Sequence, residues 1–191
     1  MYLFMDTETG GLTPKHSLLT VSCIATDAAF NIVPIGNHSP GIHLRVRHEE
    51  YALTAGALSV NKIDIVEHNR TAFDLPLAQQ HLKDYIQRAI AATNKKRLIP
   101  AGHNVNFDVQ FIRAYLLSDA EWNEFFTYPF LDTAGIARFF TAGNMYSGGY
   151  SLTALRDRFL PHMKSQSMHN AENDNLVTIE LARKFTSLLP V

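Results

Sequence analysis

The 191-residue sequence predicts an α/β fold with a mixed central sheet, an antiparallel meander plus parallel strands, flanked by helices. Three observations predict it. The first 50 residues hold short apolar, β-branched runs separated by glycine and proline. Helical apolar spacing dominates from residue 74 onward. A further strand-like run, 97–101, sits between two helical stretches, as a parallel strand would.

Residues 2–6 form the first apolar run, broken by Gly10-Gly11 and Pro14. Leu18–Thr26 is rich in branched residues and reads as a second strand. Strand character continues over 31–35 and again over Ile42–Arg47, where Ile42, Leu44 and Val46 alternate with His43, Arg45 and Arg47. Residues 55–58 and 63–68 read as short helical turns. A longer helix is expected over 74–92, with Asp74 as N-cap and Leu77, Leu82, Tyr85, Ile86 and Ile90 along one side. After the strand at 97–101, Gly102-His103-Asn104 breaks the chain and a helix runs over 106–117. Phe130-Leu131-Asp132 opens a helix to residue 140, residues 147–150 form a loop, and Ser151 caps a helix to 159. Residues 163–169 are loop-like, and a last helix is expected over 171–189. No composition break marks a linker, so residues 1–191 read as a single domain.

Composition narrows the function. The chain is 46% hydrophobic and 18% charged, enough for a sizeable core and unlike a disordered segment. A formal net charge of −1 advertises no global attraction for nucleic acid, so any such site must rely on local basic groups and metal ions. The single cysteine, Cys23, lies in an apolar run and reads as a buried, inert thiol. The start, Met-Tyr-Leu-Phe-Met-Asp, lacks the basic region of a signal peptide, and no apolar stretch is long enough to span a membrane. A reducing, cytoplasmic setting is the expectation. The ending, Leu188-Leu189-Pro190-Val191, offers no obvious tail for docking a polymerase.

The candidate chemistry rests on four acids and one histidine. Asp6 and Glu8 stand at i and i+2 at the end of the first strand, so their carboxylates share a face and repel unless a cation lies between them. Asp108 falls in the first turn of its helix, where the positive helix end favours an ionised carboxylate. Asn170 can cap the last helix, which places Asp174 in its first turn. His169 lies five residues before Asp174, and five helical steps of about 100° would turn the two side chains roughly 140° apart. They converge only if His169 is on the loop leading into the helix. Taken singly, each residue has an ordinary reading as a strand-end acid, a dipole partner or a surface histidine.

Together they form a pattern. Phe4-Met5-Asp6-Thr7-Glu8-Thr9-Gly10-Gly11-Leu12, then Gly102-His103-Asn104-Val105-Asn106-Phe107-Asp108, then His169-Asn170-Ala171-Glu172-Asn173-Asp174 resemble, in order, the three motifs of the DEDDh (DnaQ-like) 3′→5′ exonucleases. Leu131-Asp132-Thr133 and Tyr150-Ser151-Leu152-Thr153-Ala154-Leu155 also resemble segments of that family, and the likeness runs from Tyr2 to about Phe185. The sister group with Tyr-x3-Asp is disfavoured, because Asn170 stands four residues before Asp174.

The resemblance implies a ribonuclease H-like fold and a metal-dependent exonuclease that releases nucleoside 5′-monophosphates from single-stranded 3′ ends of DNA or RNA. It implies two divalent cations, Mg²⁺ or Mn²⁺, about 3.5–4 Å apart, held by oxygen ligands. Asp6 would bridge both, Glu8 and Asp174 would serve the cation that carries the attacking water, and Asp108 would serve the second, directly or through water. His169 would act as general base, a task suited to an imidazole near neutral pH. Thr9, Gly11, Leu12, Asn61 and Phe107 match positions that cradle the terminal nucleotide. Lys95-Lys96-Arg97 and the group Arg45, Arg47, His48 are candidate phosphate contacts. The expected partners are single-stranded 3′ ends, with a polymerase or a second copy of the chain as protein partners, and no membrane. The rival from another class is a catalytically idle binding module of the same fold, which would not need all five residues.

Overall fold

The structure is a computed structural model and describes residues 1–38, 40–93 and 95–189. Six strands form one sheet: β1 (Tyr2–Thr9), β2 (Leu18–Thr26), β3 (Ile42–Arg47), β4 (Phe73–Asp74), β5 (Ile99–Gly102) and β6 (Leu131–Asp132). Their order is β4-β3-β2-β1-β5-β6. β1, β2 and β3 form an antiparallel meander, while β5 and β6 join β1 in parallel and β4 lies parallel to β3. This is the mixed sheet the sequence predicts.

Burial explains the strand composition. All nine residues of β2 are buried, as suits a central strand covered on both faces. In β3, the apolar residues are buried while Arg45 and Arg47 are exposed. Leu3 and Met5 face a core built with Leu82, Tyr85, Ile86, Phe111 and Ile112. Phe4 points the other way, into a cluster with Ile24, Phe30, Ile179 and Ala182. Alternation along β1 therefore sends Asp6 and Glu8 to the face that carries the last helix.

The helices are α1 (Ala55–Asn61), α2 (Ile65–Thr71), α3 (Leu75–Thr93), α4 (Asn106–Tyr115), α5 (Asp119–Phe125), α6 (Thr133–Ala142), α7 (Leu152–Phe159) and α8 (Ala171–Thr186). Asp74 accepts the Leu77 N–H at 3.0 Å, as a cap at the start of α3 should. Ser151 caps α7 and Asn170 caps α8.

Four expectations change. The 31–35 segment makes only isolated bridges at Ile32 and Ile35, because Pro34 lacks the N–H that a ladder needs. β1 runs on to Thr9, paired with β2 through a register irregularity after Glu8. The helix expected over 106–117 ends early, at Tyr115, and a further helix that was not expected, α5, follows at Asp119–Phe125. α5 carries a capping box in which Ser118 and Glu121 satisfy each other's backbone N–H. The last helix ends at Thr186, and positions 190 and 191 of the proposed tail-less ending lie outside the described residues. No helix among the described residues is long and apolar enough to cross a membrane.

Candidate active site

Asp6 and Glu8, two residues apart on β1, share a face of the sheet end. The first turn of α8 brings Asp174 onto that face, and one carboxylate oxygen from each of the three residues lies within 4.8 Å of the other two. Asp108 arrives from the opposite side. Its helix, α4, packs on the Leu3 and Met5 face, and its Oδ1 accepts both the backbone N–H and the hydroxyl of Thr7 at 2.8 Å. Asp108 thus reaches the same sheet end around the strand rather than across the shared face.

The α8 anchor is Asn175. Its side chain is fully buried, and its Nδ2 lies within hydrogen-bond distance of Phe4 O, Ser22 O and Ser22 Oγ. It ties the turn that carries Asp174 to β1 and β2. Asn175→Ala removes these bonds inside a dry interface and should cost about 1–3 kcal/mol, or roughly 2–4 °C of thermal midpoint per kcal/mol in a chain of this size. Thermal melts of the variant check this, and an unchanged midpoint would dismiss the anchor.

His169 is exposed, and the loop before α8 places it where the spacing requires. It adopts φ 64°, a left-handed turn, and its backbone N–H donates to Asp174 Oδ2 at 3.2 Å. The second motif is braced in turn. Asp132 caps α6 and also accepts the Asn104 N–H at 2.7 Å, where Asn104 turns with φ 58°. His103 bridges Thr133 and the Tyr150 carbonyl, both at 2.9 Å. Burial holds the His103 ring below its usual range, and because a carbonyl can only accept, Nε2 is the donor to Tyr150 O. Gly102 is needed because a Cβ there would meet Met5 O at 2.9 Å.

The four acids crowd one another. Burial, then Asp108, Asp174 and Glu8, hold Asp6 well above the usual carboxylate range. Burial, then Asp174 and Asp108, push Glu8 up to about 8. Burial raises Asp108 to about 7 against the opposing Thr7 hydrogen bonds, and raises Asp174 to about 6 against the His169 N–H. Asp174 Oδ1 is buried with no hydrogen-bond partner among the described residues. A dense set of oxygen donors with an unpartnered buried oxygen fits hard divalent cations, not thiolate- or imidazole-seeking metals.

Stability should follow these shifts. Acids whose folded pKa lies above the unfolded value stabilise the fold below the ordinary carboxylate range, and that contribution is lost as pH rises through the folded values, here about 6 to about 8. In EDTA the thermal midpoint should therefore fall between pH 5 and pH 9. Mg²⁺ or Mn²⁺ should restore it, most strongly at the alkaline end. A midpoint in EDTA that stays flat across this range would contradict the crowding.

Beside the acids lies a cleft of about 370 Å³. Thr9, Gly11, Leu12, Asn61 and Phe107 all line it, together with Glu8. Leu12 stands at the lip, 84% exposed, and Phe107 is half-buried against Phe111. Asn61 is buried and largely structural: its Nδ2 donates to Thr9 O and its Oδ1 accepts the Ile63 N–H. Thr9 closes the turn through its hydroxyl to Gly11 O at 2.7 Å. Gly10 serves its own chain, since a Cβ there would fall 2.3 Å from Ala52 O.

The basic groups separate. Lys95-Lys96-Arg97 precedes β5, whose parallel register sets Ile99 beside Tyr2, so this run sits at the sheet end far from Glu8. His48 is bonded to Leu18 O at 2.7 Å. Arg45 alone of the candidate cations borders a cavity that Glu8 and His169 also line. Thr7 and Asn175 were not singled out in the sequence, because both act through partners distant along the chain. Ser118-x-x-Glu121 is a signal that could have found α5.

Comparison with known proteins agrees with this fold. The fold is similar to exonuclease I, at TM-score 0.77 and 18% identity over 97% of this chain and 40% of that one. It is also similar to E. coli exonuclease I in complex with a dT13 oligonucleotide, at TM-score 0.75 and 18% identity, covering 95% of this chain and 40% of that chain. The complex of SSB and exonuclease I with the inhibitor CFAM matches at TM-score 0.72 and 18% identity, over 97% of this chain and 41% of that chain. The chain therefore spans about 40% of the length of these relatives. Among curated proteins, none matches this sequence closely enough to count as a relative. The family model for the exonuclease domain RNase_T matches residues 3–182, nearly the whole chain, and the protein belongs to that exonuclease family.

Proposed function

We propose that this protein is a metal-dependent 3′→5′ exonuclease acting on single-stranded 3′ ends. The observation that carries the reading is the meeting of Asp6, Glu8 and Asp174 within 4.8 Å, with Glu8 also lining a cleft of about 370 Å³. The relative that binds a dT13 oligonucleotide supports single-stranded DNA as the substrate class. The presence of every acid and the loop histidine argues against an idle binding module.

The residues divide the work. Two cations, Mg²⁺ or Mn²⁺, would be held by the carboxylates of Asp6, Glu8, Asp108 and Asp174. When bound, they supply an activated water and offset charge on the leaving 3′ oxygen. Thr7 fixes the Asp108 carboxylate through two hydrogen bonds, so its free oxygen is already aimed. Leu12 and Phe107 flank the terminal base, and the Gly11 turn approaches its sugar. His169 takes the proton of the attacking water from its loop, beside Asp174. The product is a nucleoside 5′-monophosphate.

Purified protein with Mg²⁺ or Mn²⁺ should shorten 5′-labelled oligonucleotides from the 3′ end, and a 3′-phosphate should block it. DNA and RNA run side by side resolve the sugar preference. Both remaining intact with metal present would refute the enzyme reading.

A further inference from the structure

A second cavity, of about 200 Å³, opens on the far side of Glu8 from the nucleotide cleft. Sheet register builds its floor. Glu8 pairs with Thr20, and Thr20 pairs with Arg45, so the three side chains form one row on the face of α8. The next row, Asp6, Ser22 and His43, places His43 beside them. Thr20 is only 5% exposed, yet its Oγ1 has no hydrogen-bond partner among the described residues, and neither does the buried His43 Nδ1. Both residues line this cavity. Arg45 spends one nitrogen, Nη1, on the Thr71 hydroxyl at 2.6 Å, and its other donors make no bond among the described residues.

The acids around the cavity are otherwise engaged. Asp64 Oδ1 accepts the N–H groups of Val66 and Glu67. Glu67 pairs with Arg70 at 3.3 Å. Glu8 belongs to the carboxylate group with Asp6 and Asp174. That leaves a guanidinium with one partner, and a hydroxyl and an imidazole nitrogen with none among the described residues, all lining a pocket that His169 also borders. An unpartnered buried hydroxyl and an underused guanidinium fork match the oxygens of a phosphate.

We propose that Arg45, Thr20 and His43 form a phosphate-binding subsite next to the catalytic acids, taking the phosphodiester one linkage inward from the bond to be cut. This rests on the exonuclease reading for its place on the strand. The same chemistry would accept a free phosphate monoester, such as a released mononucleotide.

A linkage-deletion cycle tests it. The probe is a labelled dT hexanucleotide whose 3′-terminal linkage is an uncharged methylphosphonate, which keeps the next phosphate. Binding is measured by fluorescence anisotropy in Mn²⁺. Arg45→Ala should weaken binding about tenfold, the loss of a charge-assisted contact, and lower the salt slope by about 0.7. Arg45→Lys should recover part of the loss, and Thr20→Val, which keeps the shape, should weaken binding in the same direction. When the second linkage is also a methylphosphonate, Arg45→Ala should change nothing. An equal loss on both probes would overturn the subsite, as would no loss on either probe. Competition by adenosine 5′-monophosphate separates the sources: loss of its binding in Arg45→Ala, with the strand unaffected, would assign the site to a free monoester and overturn the strand placement. If the wild type binds the probe through Arg45 yet leaves an unmodified hexanucleotide intact, the exonuclease reading fails while the phosphate site stands.

Discussion

Asp6→Asn should silence the enzyme while making its metal-free form more heat-stable. Asp6 is half-buried among Glu8, Asp108 and Asp174, and burial with these neighbours holds its carboxyl far above the usual range. Without cations, a fourth acid at the sheet end must either carry a crowded charge or take up a proton, a cost that asparagine, of the same shape, avoids. In EDTA at pH 8 the variant should melt higher than the wild type. In saturating Mn²⁺ the order should invert, because only the wild type gains the full binding free energy. Turnover should fall on the order of 10³-fold or more, the loss of several kcal/mol of charge stabilisation. The paired melts and a gel assay decide it. A variant within tenfold of wild-type turnover, or one that melts lower in EDTA, would show that Asp6 is an ordinary strand residue.

The sequence carried the strands that have a period to read. The nine-residue β2 and the alternating β3 were legible because burial imposes a pattern over many positions. β4 and β6 were not, since two residues have no period and their pairing is supplied by β3 and β5. α5 was missed although Ser118 and Glu121 spell its start. In the site, Asp6, Glu8 and Asp174 were legible as strand-end and helix-start acids, and the structure gathers them. The approach of Asp108 was not, because it depends on Thr7, 101 residues away. Asn175 was invisible for the same reason: its partner Ser22 is 153 residues distant, and an asparagine inside a helix carries no mark of what it will touch.

His169→Asn should separate proton transfer from metal binding. His169 occupies a left-handed turn at φ 64°, which asparagine accepts more readily than alanine. The link to Asp174 runs through the backbone N–H, not the imidazole, so the variant retains it. The carboxylates then keep their places, and Mn²⁺ affinity measured by calorimetry should stay within about twofold, less than the tenfold that a lost orienting contact costs. On the proposed mechanism, what the variant loses is the acceptor for the proton of the attacking water. Loss of a positioned general base lowers turnover by about 10²–10⁴-fold, and the residual rate should climb with hydroxide concentration as solvent takes over the task. Asp174→Asn provides the contrast, because it should lose metal affinity together with turnover. If His169→Asn retains more than a tenth of wild-type turnover, the proton leaves by another route; if it loses Mn²⁺ as Asp174→Asn does, the histidine belongs to the metal site and not to acid–base chemistry.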